Sequence, residues 1–465
     1  MRRWAWASAA PSNPPPPRTS QSGKGDAVHV ETDAYERYIQ RHARWNFTVN
    51  LLDLTFYNLA MSFIFGATVL TLYASYLTDS ALLIGLVPTV QSLGFALPQL
   101  LLSRQAEQQA HKKSLVVRIS IVERLPYLWL ALLILLAPQL PRQLSLGILL
   151  VSLFIGTGAG GLGAPAWKAM ISKVIPPRRR GLMFGLSSAL GSVLGLGGAW
   201  LSRYLLATYS YPRSFAYSFG LCFCFQVVSY ICVALNREPR RQPERTPLAA
   251  REYWRRLPLV LRRNPNFCRY LGARALVIMG TMSTAFFMVY ARQRFGVQDA
   301  FAAELTMAAL VSQALLTPLL GSLGDRRGNK WLMQLASVLR ILAMVTVLLA
   351  PAQAWLYGVF VLVYGATSAL SIAGFGLSME FSTPDDVPTF AALDGTVSAI
   401  PTMVAPLLAG WLVDMGGGAT TGDAPGFALM FVVAAVFALA GWAAMRWWVR
   451  EPRDEAPGVG VSAAE

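Results

Sequence analysis

Residues 321–330 read Gly-Ser-Leu-Gly-Asp-Arg-Arg-Gly-Asn-Lys and form a short polar segment between two apolar stretches. Those stretches run over 300–322 and 331–350. Each is close to the roughly 20 residues that a helix needs to cross a hydrocarbon core of about 30 Å. The segment therefore predicts a tight turn between two membrane-spanning helices, with Gly328 supplying the backbone freedom that such a turn needs.

The same alternation of apolar stretches and polar turns continues outward in both directions. Each apolar stretch is predicted to be a helix, because backbone polar groups in lipid must be satisfied within their own segment. Only 14% of the residues are charged, against about a quarter in a soluble domain. The sequence thus predicts an all-α integral membrane protein. Its twelve spans are 47–76, 81–102, 115–138, 143–167, 182–206, 213–235, 268–291, 300–322, 331–350, 353–379, 388–414 and 426–448.

A basic segment divides the twelve spans into six and six, which indicates a duplicated architecture. An echo supports duplication, since Leu-Leu-Ala-Pro ends the third span at 135–138 and the ninth at 348–351. The linker either carries a surface helix on the anionic leaflet or is a solvated connection that enforces topology. The predicted units are a disordered cytoplasmic tail at 1–44, an N-terminal six-helix bundle at 45–235, the basic cytoplasmic linker at 236–266, a C-terminal six-helix bundle at 267–449 and a cytoplasmic tail at 450–465.

The distribution of lysine and arginine predicts the orientation in the membrane. These residues favour the cytoplasmic side in short loops, and here they concentrate before the first span and in the loops 2–3, 4–5 and 8–9. Both termini are therefore predicted to be cytoplasmic, in a multi-pass protein of the inner (plasma) membrane. The net charge of +16 follows from this loop pattern, so no nucleic-acid partner is expected.

The turn at 321–330 resembles the cytoplasmic signature of the major facilitator superfamily. The positions that match are Gly321, Leu323, Asp325, Arg326, Gly328 and Lys330, and Asn329 departs from the pattern. The resemblance implies two pseudo-symmetric six-helix bundles, related by an axis along the membrane normal, that alternate in their access to a solute. Gly321 would then let the end of the eighth span approach a neighbouring helix closely.

In that architecture the turn lies against the start of the fifth span in the other half. The resemblance therefore implies a cytoplasmic latch between Asp325, the positive end of that helix and either Arg179 or Arg180. The corresponding loop of the first half lacks the signature and is basic, whereas the loop 10–11 opposite carries Asp385 and Asp386. We expect a second, charge-reversed contact there. A plain surface ion pair worth under about 1 kcal/mol is the alternative for the Asp325 latch.

Ionisable residues inside spans are costly and are functional candidates by default. Glu123 and Arg124 must lie within the third span, because the apolar run at 125–137 is about 20 Å of helix and too short to cross alone. Adjacent residues point about 100° apart on a helix, so partners on other helices are expected. A structural ion network joining the second, third and fourth spans is the alternative interpretation, and Arg340 in the ninth span is expected to be structural.

The first and seventh spans line the cavity in the family that the chain resembles. Asp53, with Asn50 and Asn58 nearby, lies in the first span, and Arg274 lies in the seventh. Asp53 is therefore a candidate for binding the coupling proton. In one state it would instead pair with Arg274. In the alternative interpretation, Asp53 and Arg274 have structural roles or extend their charged ends toward the membrane surface.

The expected function is secondary active transport of a small solute by alternating access, coupled to protons. Export of lipophilic or amphipathic compounds is favoured, because the helices expected to line the cavity carry few polar residues. A nutrient-uptake symporter and a non-transporting sensor or lipid-handling protein are the alternatives. No nucleophile-base pair, metal-ligand spacing or nucleotide-binding loop is present in the sequence, so neither an enzyme nor a cofactor or metal is expected. The expected partners are the solute, protons and membrane lipids, and the chain is expected to be monomeric.

Overall fold

A computed structural model describes residues 24–108, 112–239, 261–262, 264–382, 387–417 and 425–451. These ranges are helices joined by short connections, and they contain no strand. Within these described ranges, eleven helices are long and apolar enough to cross a membrane, or twelve if one bent pair counts as a single span. The prediction of an all-α membrane protein with twelve helices is therefore confirmed.

The first half contains six spans, of which the first is interrupted. A π-helix at Gly66–Leu70 separates α1 from α2 within that span. The elements of this half are α1 (Lys24–Ser62), α2 (Thr71–Leu77), α3 (Ala81–Gln108), α4 (Lys112–Leu136), α5 (Arg142–Val174), α6 (Pro177–Thr208) and α7 (Arg213–Ala234).

The second half repeats this plan with a broken seventh span. Its two parts, α8 and α9, meet at a bend of 40° around a 3₁₀ turn at Met282–Ala285. The elements of this half are α8 (Pro265–Met279), α9 (Phe287–Phe295), α10 (Ala300–Arg327), α11 (Asn329–Leu349), α12 (Trp355–Glu380), α13 (Val387–Met415) and α14 (Pro425–Trp447).

The first helix begins earlier than the predicted tail boundary at residue 44. It starts at Lys24, so the expectation of a disordered tail over its last part is wrong. Residues 24–44 contain no proline, and a polar helix can continue past the membrane wherever nothing breaks it. The rest of the predicted tail, most of the linker with its surface helix, and nearly all of the C-terminal tail lie outside the described residues.

The same hydrogen-bonded clasp closes each half. The Asn46 side-chain amide donates to the carbonyl oxygen of Arg237 (3.0 Å) and accepts from its backbone N–H (2.9 Å). Asn266 makes the same two bonds with Arg450, at 3.3 and 2.9 Å. Each clasp ties the first helix of a half to the third residue after its last helix. The two halves are thus alike in detail as well as in helix order.

A short sequence repeat accompanies the clasps. Arg-Glu-Pro-Arg occurs at 237–240 and again at 450–453. The Glu238 carboxylate accepts from the backbone N–H groups of Lys112 (3.1 Å) and Lys113 (2.7 Å), and it forms an ion pair with Lys173 at 3.1 Å. It therefore caps the first turn of α4, where a negative charge is favourable.

Candidate functional site

A buried polar cluster lies inside the first bundle and joins α1, α4 and α7. The Ser229 hydroxyl donates to Asp53 Oδ1 at 2.6 Å and accepts from Arg124 Nη2 at 2.8 Å. Arg124 also donates to the carbonyl oxygens of Gln226 (2.8 Å) and Ser120 (3.1 Å). Ser229 thus connects the aspartate of α1 to the guanidinium of α4 without direct contact between the two charges.

Glu123 completes this cluster at the edge of a cavity. Its carboxylate pairs with Arg124 at 3.3 Å and accepts from the Tyr57 hydroxyl at 3.2 Å. Both charged side chains lie inside α4, as expected, and they have partners on other helices. They also contact each other, because both side chains are long enough to bend together despite the angle between adjacent residues. The Glu123 side chain keeps 18% of its surface exposed.

The cavity beside Glu123 has a volume of about 230 Å³. It lies within the first bundle, where α1, α4 and α5 form most of its wall. Two carboxylates, one guanidinium and several aromatic rings face it. Its lining comprises Asp53, Leu54, Tyr57, Phe95, Val116, Ile119, Ser120, Glu123, Arg124, Tyr127, Gly156, Thr157, Gly160, Gly163, Ala164, Trp167 and Val233.

The second bundle holds a buried ion pair between Arg274 of α8 and Asp394 of α13. Arg274 also donates to the Tyr270 hydroxyl at 2.8 Å, and the Ser378 hydroxyl donates to Asp394 at 2.8 Å. Asp53 and Arg274 therefore each bond within their own half and do not pair in this conformation. Asp394 was not among the predicted site residues, although an acid inside the predicted span 388–414 meets the criterion that selected Arg274.

Arg340 lies beside the bend of the seventh span. It is buried and donates to the hydroxyls of Thr284 (2.9 Å) and Thr367 (3.2 Å). Thr284 belongs to the 3₁₀ turn between α8 and α9. The guanidinium thus links the broken segment to α11 and α12.

The two asparagines predicted beside Asp53 have different environments. Asn50 is fully buried and exchanges amide hydrogen bonds with Asn236, at 2.5 and 3.1 Å. Asn58 is exposed and faces α6, where a Cβ added to Gly191 would lie 2.8 Å from its Nδ2. Only Asn58 therefore has an accessible amide of the two.

One end of the molecule is closed by contacts between the bundles. The Asp414 carboxylate, at the end of α13, accepts from the Ser80 hydroxyl (2.7 Å) and from the backbone N–H groups of Ala81 (2.7 Å) and Leu82 (2.9 Å). The last two are free donors at the first turn of α3, where the helix dipole favours an anion. We call this contact the Asp414 latch.

Further contacts join the bundles at the same end. The Tyr76 hydroxyl donates to Asp299 at 2.6 Å, and Arg203 of α6 pairs with Glu304 of α10 at 2.6 Å. Burial raises the pKa of Tyr211, and its ring stacks on the Tyr76 ring at a centroid distance of 4.3 Å. The result is a polar seal around the ends of α2, α6 and α13.

The turn at 321–330 lies at the opposite end. Gly328 has φ of +92°, a conformation that only glycine adopts readily, so the predicted tight turn is confirmed. Asn329, which departs from the signature, donates to Glu380 at 2.8 Å and joins the start of α11 to the end of α12. Arg327 packs over the Trp331 ring at 4.9 Å.

The predicted cytoplasmic latch stays a prediction. Asp325 and Arg326 are exposed in the last turn of α10, and Lys330 is half-buried. Arg180 donates to the carbonyl oxygens of Ile175 (3.0 Å) and Ser172 (2.5 Å) in its own half. Asp385 and Asp386 lie outside the described residues.

Gly321 was expected to let α10 approach a neighbour closely, and that expectation is wrong for this conformation. A Cβ added there would meet no described atom within 4 Å beyond its own helix. The close packing lies at the other end instead, where a Cβ added to Gly85 would collide with the Pro406 carbonyl oxygen. Helices that diverge from one contact cannot be equally close at both ends.

A sequence-family model matches the chain across both bundles. The model of the Major Facilitator Superfamily matches residues 52–311 and 270–464. The chain belongs to the Major Facilitator Superfamily. It is therefore a membrane transporter by family, which confirms the resemblance noted at the 321–330 turn.

Solved structures of superfamily members share the fold at low sequence identity. The nucleoside transporter NupG has a TM-score of 0.65 at 13% identity, over 86% of this chain and 100% of that one. A bacterial homologue of the human lysosomal transporter Spinster, inward-facing and occupied, has 0.60 at 17%, over 89% and 96%. A D-xylose–proton symporter has 0.64 at 14%, over 89% and 99%. No curated protein matches the sequence.

Proposed function

We propose that this superfamily member is a proton-coupled secondary transporter that moves a small organic solute by alternating access. The observation that carries the proposal is the buried cluster in the first bundle, where Glu123 pairs with Arg124 and Asp53 reaches the same guanidinium through Ser229. The Asp414 latch supports the alternating-access mechanism, since a few hydrogen bonds that close one end can break and re-form within one transport cycle.

The charge of the cluster is the reason for proton coupling. Asp53 and Glu123 together with Arg124 carry one net negative charge when all three are ionised. A buried, unbalanced charge costs several kcal/mol in a low-dielectric interior, so the cluster favours uptake of one positive charge. Ser229 links Asp53 to Arg124, so a proton on either carboxylate changes the hydrogen bonds among α1, α4 and α7. The name of the similar D-xylose–proton symporter records proton coupling on this fold.

The balanced pair of Arg274 and Asp394 has a different proposed role. Its charges cancel, and Tyr270 and Ser378 satisfy further donors and acceptors. We assign it to a rigid connection between α8 and α13 in the second bundle. We further propose that the protein is a monomer in the plasma membrane with both termini in the cytoplasm. In that orientation the sealed end faces outward. The favoured direction of transport is export of lipophilic or amphipathic solutes.

Reconstituted vesicles test the proposal. Purified protein is first screened by thermal shift against sugars, organic acids, amino acids, lipids and lipophilic cations, because a ligand at 100 times its Kd stabilises by about 2.7 kcal/mol. Uptake of the stabilising solute is then measured with and without a pH gradient. Glu123→Gln and Asp53→Asn are expected to abolish the acceleration by the gradient, whereas the exposed control Asp79→Asn keeps it. Equal gradient dependence in all four proteins would contradict proton coupling at this cluster.

A further inference from the structure

The cavity inside the first bundle has the chemistry of a binding site for a small organic cation. We infer that it takes an ammonium compound of about the size of choline, with Glu123 as the counter-ion. The inference rests on the proposed transport function for its biological meaning, since it names a solute class for the same cluster. Binding itself is measurable without transport.

Among the described charged side chains that face the cavity, the carboxylates can accept hydrogen bonds from a bound cation. The one guanidinium is already hydrogen-bonded within the protein. Arg124 is the only basic residue among the described residues that line it, and it is engaged by Gln226, Ser120, Ser229 and Glu123. Its charge is thereby held at the wall. The carboxylate of Glu123 remains partly exposed to the space. When both carboxylates are ionised, a ligand entering there meets a net negative potential.

The walls of the cavity suit an alkylated ammonium group. Tyr57, Phe95, Tyr127 and Trp167 contribute aromatic rings, and the faces of such rings attract quaternary ammonium groups. Hard metal ions need several oxygen ligands in a defined geometry, and the described residues hold no group of three or more potential metal-binding side chains. Aromatic walls with one partly exposed carboxylate fit an organic cation better than a metal ion.

The size of the cavity limits the ligand. Its volume of about 230 Å³ falls below the roughly 300 to 1,000 Å³ that holds a drug-sized molecule. Gly160 on α5 contributes to this space, because a Cβ added there would lie 3.2 Å from Glu123 Oε1. A methyl group at residue 160 would therefore crowd the carboxylate without removing any charge.

Equilibrium titration of the purified full chain in detergent tests the inference. Choline is compared with 3,3-dimethylbutan-1-ol, its uncharged carbon isostere. We expect saturable binding of choline and at least tenfold weaker binding of the isostere. Glu123→Gln is expected to weaken choline binding at least tenfold. Equal affinity for both compounds, or no choline binding at all, would overturn the inference.

A pair of glycine substitutions on α5 separates ligand binding from folding. Gly160→Ala keeps every charge and is expected to weaken choline binding several-fold. Gly147→Ala, where an added Cβ meets nothing within 4 Å, is the matched control and is expected to bind as the parent does. Unchanged affinity in Gly160→Ala would place the ligand elsewhere and refute the site. If choline does not bind but proton-driven solute uptake is intact, the inference of a cation site is refuted and the transport proposal stands.

Discussion

Removal of the Asp414 carboxylate is expected to open the sealed end of the transporter. Asp414→Ala deletes three hydrogen bonds that cross from α13 to Ser80 and the first turn of α3. Hydrogen bonds to charged groups contribute about 1.5–3 kcal/mol each. At this half-exposed site water replaces part of each bond, so we take about 2–4 kcal/mol in total for the three.

That energy predicts the size of the population shift. At about 1.4 kcal/mol for each factor of ten, a loss of about 2–4 kcal/mol changes the ratio of the two states by about 30-fold to about 700-fold. Transporter states differ by only a few kcal/mol, so the state that is open at this end becomes readily detectable. Asp414→Asn keeps an accepting oxygen and is expected to give a smaller shift.

Distances between spin labels on the two bundles measure this shift. Labels at Tyr209 and Gln353, which are exposed at the sealed end in opposite halves, are attached after replacement of the four native cysteines. Asp414→Ala should add a longer-distance population, whereas the exposed neighbour Asp79→Ala should not. An unchanged distance distribution in Asp414→Ala would refute the latch.

Three further perturbations test the ion pair of the second bundle, the two clasps and the predicted cytoplasmic latch. Arg274→Met alone leaves Asp394 as an unpaired buried charge and is expected to destabilise the protein by about 3–5 kcal/mol. Adding Asp394→Leu should restore most of the lost melting temperature. A double variant that melts as low as Arg274→Met would contradict a purely structural pair. Asn266→Ala and Asn46→Ala each remove two hydrogen bonds and should lower stability by about 1–3 kcal/mol in thermal unfolding, with similar losses if the clasps are equivalent. Asp325→Asn should shift spin-label distances toward the state sealed by Asp414, because it weakens the latch predicted for the opposite end; unchanged distances would argue against that latch.

The candidate site was predictable from sequence only in part. Glu123, Arg124 and Asp53 were found because a charge inside an apolar span is costly and stands out against its neighbours. Ser229 was not found, since a hydroxyl within a membrane helix is common and signals nothing by itself. Asp394 carries the same signal as Arg274 and was overlooked. The Arg-Glu-Pro-Arg repeat is visible in the sequence, but its capping of α4 depends on contacts between distant residues.

The sequence by itself determined the membrane location, the twelve helices, their division into two halves and the turn at Gly328. These properties follow from local physics: the thickness of the bilayer sets the length of each apolar stretch, and lipid forces every backbone group to bond within its helix. Only the tertiary structure decided that Asp53 bonds to Ser229, that Arg274 pairs with Asp394 and that Asp414 seals one end. Those partners lie far apart in the chain, and helix rotation, crossing angle and the choice between nearly equal conformational states bring them together.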